Sequence, residues 1–187
     1  MKQMSSRSAP PGASGAPPMT RRGRPLPRDG QAHDEHATHL EPGTAAADGS
    51  WAYAALEIGI VHHREHDLSA ARRAYTVAIE SRHPDAAPCA LVNLGLLLAA
   101  EADAAVAKDA FEQALATGHA DAVPYALAAL GVIADGCGLV SEARDRYLAA
   151  IATAHPVAAP FAQAHLTRLE GEEEHRRVAA ASEALAS

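Results

Sequence analysis

Aromatic side chains are scarce in this sequence: seven in 187 residues, and none before Trp51. A core must therefore be built from Ala, Leu, Val and Ile, which a hydrophobic content of 48% allows. The first fifty residues have no aromatics and are rich in Pro, Gly and Ser. Such a segment cannot bury enough apolar surface to offset its ordering entropy. Residues 1–48 are thus expected to form a disordered tail and 49–187 the folded domain. Cysteine is nearly absent: Cys89 and Cys137 make no C-x-x-C pattern, which argues against a disulfide framework and a structural zinc site. Reduced thiols in a cytoplasmic protein are the simplest expectation. No apolar run approaches the roughly 20 residues of a membrane helix, since the longest, from Ala122 to Ala134, already contains Pro124; a membrane partner is not expected. The N-terminal cations are followed by no apolar stretch, so they do not read as a secretory signal. Nucleophile elbows, phosphate-binding loops and dinucleotide fingerprints are missing. No enzymatic activity, catalytic residue or cofactor is therefore expected.

Charge is unevenly spread. Residues 1–28 hold Lys2, Arg7, Arg21, Arg22, Arg24 and Arg28 with no acid, although the whole chain carries a formal −7. A basic arm precedes an acidic body. The arm reads either as a solubilising extension or as an anchor for nucleic acid, an acidic partner or the body itself. The eleven histidines include His33, His36 and His39 beside Asp34 and Glu35. Flexible tracts of this kind take up zinc or nickel weakly, and no specific metal site is expected there. His62, His63 and His66 do not make the H-E-x-x-H pattern of a metalloprotease. His83, His119 and His155 fall in equivalent turns one hairpin apart. With Zn–N bonds of about 2 Å and helices about 8–10 Å apart, they cannot meet on one ion. Their expected role is to cap carbonyls at the end of each second helix.

What is abundant is repetition. Segments beginning at Trp51, Pro88 and Pro124 align without a gap on columns that recur every 36 residues. Gly59, Gly95 and Gly131 share a column, as do Ala71, Ala107 and Ala143, and Ala78, Ala114 and Ala150. Tyr75, Phe111 and Tyr147 make a bulky column, followed by Ile79, Leu115 and Ile151. Pro88, Pro124 and Pro160 form another. Each unit reads as two helices. Pro stands in the first turn of the first helix, where its missing N–H costs nothing, and Asp85 and Asp121 stand just upstream as expected caps. Apolar residues at helical spacing, such as Leu91, Leu94 and Leu98, supply the buried stripe. The breaks His66-Asp67, Ala102-Asp103 and Gly136-Cys137-Gly138 lead to the second helices. Close approach of two helices needs small residues at the contact. The glycine column is therefore placed at the crossing, and the aromatic column is expected to fill the gap between adjacent hairpins. One hairpin cannot bury its apolar face alone, so the units must stack.

At Leu94-Gly95, Ala107, Phe111, Ala114 and Leu130-Gly131, Ala143, Tyr147, Ala150 the chain resembles the tetratricopeptide repeat family. The first unit has Ile58-Gly59, Ala71, Tyr75 and Ala78 at the same places. The likeness is to a bacterial-type variant of 36 residues, longer than the family's usual unit, with the extra residues in the H-P-D-A-A-P connector. It implies an all-α solenoid of three hairpins, at about 51–87, 88–123 and 124–159, closed by a capping helix at about 160–182. Glu172, Glu173, Glu174, Arg176 and Arg177 give that cap a polar outer side.

The resemblance also implies function. First helices line the concave face in this family, so Tyr53, Leu56, Ile60, Cys89, Val92, Leu96, Tyr125, Ala128 and Val132 would line a groove, with Asn93 its one polar member. The strip is too apolar for a carboxylate clamp. It reads either as an exposed seat for an amphipathic helix, which the protein's own tail or a second copy would also fill, or as core in a tightly wound solenoid. The expected function is a protein- or peptide-binding scaffold or adaptor, with self-association into a homo-oligomer as one form of it. The alternative is a nucleic-acid-associated or regulatory accessory protein that relies on the basic arm, although nucleic acid is the less expected partner.

Overall fold

The computed structural model describes residues 49–186; the tail at 1–48, with its basic arm and His33, His36 and His39, lies outside them. Among the described residues there are seven helices and no strand: α1 (Ser50–Arg64), α2 (Leu68–Glu80), α3 (Ala86–Ala100), α4 (Ala104–Ala116), α5 (Ala122–Gly136), α6 (Val140–Ala152) and α7 (Ala158–Ala186). The starts of α1, α3, α5 and α7 are 36 residues apart, and those of α2, α4 and α6 keep the same spacing. The sequence period is therefore a structural one. Each helix packs on the next, and α3 also touches α1 and α5, as α5 touches α7. This helical-repeat architecture is consistent with an α-solenoid. None of the described helices is long and apolar enough to cross a membrane.

Two kinds of turn produce the repeat. Within each hairpin, His66 (φ 61), Ala102 (φ 64) and Gly138 (φ 75) adopt the left-handed conformation. Asp67 N donates to His62 O at 3.0 Å, Asp103 N to Leu98 O at 3.1 Å, and Leu139 N to Ala134 O at 2.9 Å. These bonds satisfy carbonyls that a helix end leaves open. Only the third hairpin uses glycine at this turn; histidine and alanine in the others carry a left-handed cost of about 1–2 kcal/mol each. Two hairpins recover part of it by capping the second helix. Asp67 Oδ1 accepts from Ala70 N at 3.0 Å and Asp103 Oδ1 from Val106 N at 3.4 Å.

The hairpin interior is one contact repeated three times. A Cβ built on Gly59 would lie 2.5 Å from the Tyr75 ring, on Gly95 2.6 Å from Phe111, and on Gly131 2.5 Å from Tyr147. Each ring therefore lies on the glycine of its own hairpin, a placement that differs from the inter-hairpin role expected of the aromatic column. The reason is steric: removal of the Cβ opens a flat seat on the first helix that a ring fills completely. All three aromatic residues are fully buried. Around these contacts α3 is buried on every side except at Leu94 and Ala100, which explains why its sequence is apolar all round and not striped. The last helix, expected at about 160–182, runs unbroken past Gly171 to Ala186.

Candidate interaction surface

The connectors place the first helices. In each, a hydroxyl closes one helix and a histidine opens the next. Ser81 Oγ donates to Ala78 O at 2.5 Å, and Thr117 and Thr153 Oγ1 donate to Ala114 O and Ala150 O at 2.6 Å. The same oxygens accept the backbone N–H of His83, His119 and His155. Each imidazole Nδ1 then accepts two amides of the following helix start. For His119 these are Asp121 N and Ala122 N, both at 3.2 Å; His83 and His155 repeat the arrangement. An acceptor Nδ1 requires the proton on Nε2. The histidines thus cap the N-terminus of the next helix, not the C-terminus of the last one as the sequence suggested, because the left-handed Arg82, Gly118 and Ala154 turn the chain before them. Asp85 and Asp121, the expected caps, make no side-chain cap bond. Their carboxylates instead face the next connector, with His119 Nε2 3.4 Å from Asp85 and His155 Nε2 3.6 Å from Asp121. Tyr53 also donates to Asp85 at 3.0 Å. Val157, the next residue in the aspartate column, has no carboxylate.

The inner strip read from the sequence is brought together, but as interior. Leu56, Ile60, Cys89, Val92, Asn93, Leu96, Tyr125, Ala128 and Val132 are all buried, and Tyr53 is half-buried with its ring edge-on to His83 at 4.8 Å. Burial pushes the Cys89 thiol up to about 12, helped by Asp121 and Asp85, so it stays protonated and unreactive at neutral pH. Burial also raises the Tyr125 phenol to about 12, with Asp121 adding to it. Tyr125 OH has no hydrogen-bond partner among the described residues. The sequence left two readings of this strip open, an exposed seat and a core. In the folded chain it is covered by its own helices.

The exposed apolar surface lies elsewhere, on the first helix. Trp51, Ile58 and Val61 are 40%, 52% and 48% exposed, with half-buried Ala54 between them. Their spacing places all four on one helical stripe. The repeat register shows what this stripe is. Its counterparts Ala87, Ala90, Leu97, Ala126, Leu130, Ile133, Ala162, Leu166 and Leu169 are buried in the later units, with Val123 and Ala159 half-buried, and each of those first helices packs on the preceding hairpin. Leu94 is half-buried. α1 has no preceding hairpin among the described residues, so the same face meets water. Glu65 shares the pattern: its counterpart Glu101 pairs with Arg72 of the hairpin before it, whereas Glu65 has His62 nearby at 3.7 Å.

Sequence reasoning missed this surface because it sought a groove lining instead of a missing neighbour. The signal was present: Ile58 and Val61 stand in columns filled by Leu and Ile in the later units, and the first unit has no earlier hairpin of the repeat in front of it. At the other end the last helix behaves differently. Thr167 takes the glycine column and Arg168 the Ile60-Leu96-Val132 column, and both are exposed. Arg168 pairs with Asp135, and with Glu172 at 2.5 Å. No group of three His, Cys, Asp or Glu residues that could hold a metal comes together among the described residues. Comparison with known proteins adds no further guide: no family model, no curated protein and no solved structure matches this chain.

Proposed function

We propose that the chain is a protein-binding scaffold of the tetratricopeptide-repeat type, without catalytic activity, and that it presents the α1 face to a helical partner. The observation that carries this reading is the α1 stripe, a surface whose three structural equivalents each receive a helix while it receives none among the described residues. Hydrophobic residues exposed singly are normal on a protein surface, whereas a contiguous patch marks an interaction site. Removing such a stripe from water contributes about 25 cal/mol per Å². A partner helix with small and apolar residues at helical spacing fits it, in the helix-on-helix mode of recognition. The thiols Cys89 and Cys137, both free, suit a reducing cytoplasmic setting. The test uses the full chain and its Ile58→Glu variant as paired baits in affinity capture. Proteins held by the first and released by the second support the reading. An identical set on both baits contradicts it.

A second reading rests on the six acid-free cations of residues 1–28, which suit phosphate contacts. Binding of the full chain to duplex DNA would then fall steeply with added salt, whereas binding through an apolar stripe would not.

A further inference from the structure

We infer that the α1 face is an isologous interface at which two copies of this chain pair through antiparallel α1 helices. The inference rests on the scaffold reading above and names its first partner. Three observations lead to it.

The chain itself does not carry what the face needs. In the later units the face meets the preceding hairpin, including its second helix, and none of those second helices contains proline or glycine. Thirty-six residues upstream of α2 the segment 32–44 holds Asp34, Glu35, Glu41, Pro42 and Gly43. Proline and glycine at those places are the opposite of that pattern. The far end of the array is no better suited, because Thr167 and Arg168 make it polar.

A second α1, in contrast, fits the first. The stripe alternates large and small, with Trp51, Ala54, Ile58 and Val61 at steps of three, four and three residues. This is the seam spacing of paired helices. Laid antiparallel, Ile58 falls opposite the partner's Ala54 and Trp51 opposite the partner's Val61, and a two-fold axis generates each contact twice. A two-fold interface demands that reciprocity. Large residues meet small ones, so the helices approach without overpacking. Arg64 and Glu65 lie beyond the overlap, which ends near His62 and the partner's Ser50, and Glu57, the one acid within it, flanks the stripe and is not part of it. The two helix dipoles oppose each other, which is favourable.

Trp51 is the chain's single tryptophan, and it stands within the proposed seam. The test follows from that. The full-length chain is taken through a concentration series in which mass is read by sedimentation or light scattering and Trp51 emission is read on the same samples. The expected result is a doubling of mass accompanied by a shift of the emission to shorter wavelength. Ile58→Glu should raise the dissociation constant at least about tenfold, with helical circular dichroism unchanged because Ile58 is exposed in the single chain. Should that variant lose helicity, Val61→Gln replaces it. A monomer mass with solvent-exposed emission throughout overturns the inference. A monomer mass with short-wavelength emission at every concentration also overturns it and assigns the cover to the chain's own upstream segment. The first failure leaves the scaffold reading standing, since that reading falls when Ile58→Glu retains the same captured proteins; the second removes the α1 face from both readings.

Discussion

The two ends of the helical array use the same columns for opposite purposes. At the first end, Ile58 and Val61 meet water; at the other, their counterparts Leu166 and Leu169 join the core beside Tyr147. The face that α7 turns outward has Thr167 and Arg168 where the earlier units have Gly and an aliphatic residue. Terminal repeats of stacked proteins normally carry a polar outer face. Among the described residues α7 obeys that rule and α1 does not. The lesson is that a repeat column states what a residue would pack against, and the absence of a neighbour turns core chemistry into a surface.

Several substitutions sharpen or break this contrast. The largest effect is expected where the ends should not differ at all. Gly59→Val and Gly131→Val each drive a side chain into a ring seated 2.5 Å from the missing Cβ, and each should cost about 3 kcal/mol by overpacking. Urea titrations should show similar midpoint losses for both. A much smaller loss at Gly59 would mean that the first hairpin is looser inside as well as outside, and the contrast would no longer be one of faces alone.

The connectors come next in size. His119→Leu and His155→Leu each remove a cap that accepts two amides, at about 1 kcal/mol per cap. His83→Leu should cost somewhat less, because its column-mate for Asp85 and Asp121 is Gly49, which has no carboxylate to set against the imidazole. Thermal denaturation of the three variants in one buffer checks the order. Equal losses would show that the carboxylates Asp85 and Asp121 contribute nothing.

The smallest effect is one of pH. Burial lowers the His63 imidazole below its ordinary value, with His66 adding to it, and burial lowers His165, with Arg168 adding to it. The unfolded chain takes up these protons first. Stability should therefore be fully present above about pH 6.5 and decline as pH falls through the folded-state values, in the same direction at both ends. Denaturation midpoints at pH 7.5 and 5.5 measure the decline, and His165→Gln should reduce it. A midpoint that rises on acidification would contradict the burial of these rings.

The repeat made much of this legible in advance. Helix number, the 36-residue spacing and the existence of the glycine and aromatic columns were readable because each is a local rule repeated three times, and repetition separates a rule from coincidence; that each ring sits on its own hairpin's glycine was not. Two things were not readable. The histidine cap depends on the left-handed residues Arg82, Gly118 and Ala154; of these only glycine announces its conformation, so the turn that aims the imidazole forward left little trace. The burial of Leu56, Val92 and Ala128 depends on how closely successive first helices approach, and composition does not state that distance. The α1 surface stood in the sequence as an ordinary core pattern. Only position in the array distinguishes it.

The contrast between the ends is tested most directly by truncating one column at four places. Ile58→Ala, Leu94→Ala, Leu130→Ala and Leu166→Ala are compared by urea titration of the dilute chain. Loss of a buried Leu or Ile side chain costs about 2–5 kcal/mol, which is expected at Leu130 and Leu166, with a smaller loss at half-buried Leu94. Ile58→Ala should stay within about 0.5 kcal/mol of the parent, as an exposed site does. A loss at Ile58 equal to that at Leu166 would show that the α1 face is already covered in the single chain, and the account of an open end would fail.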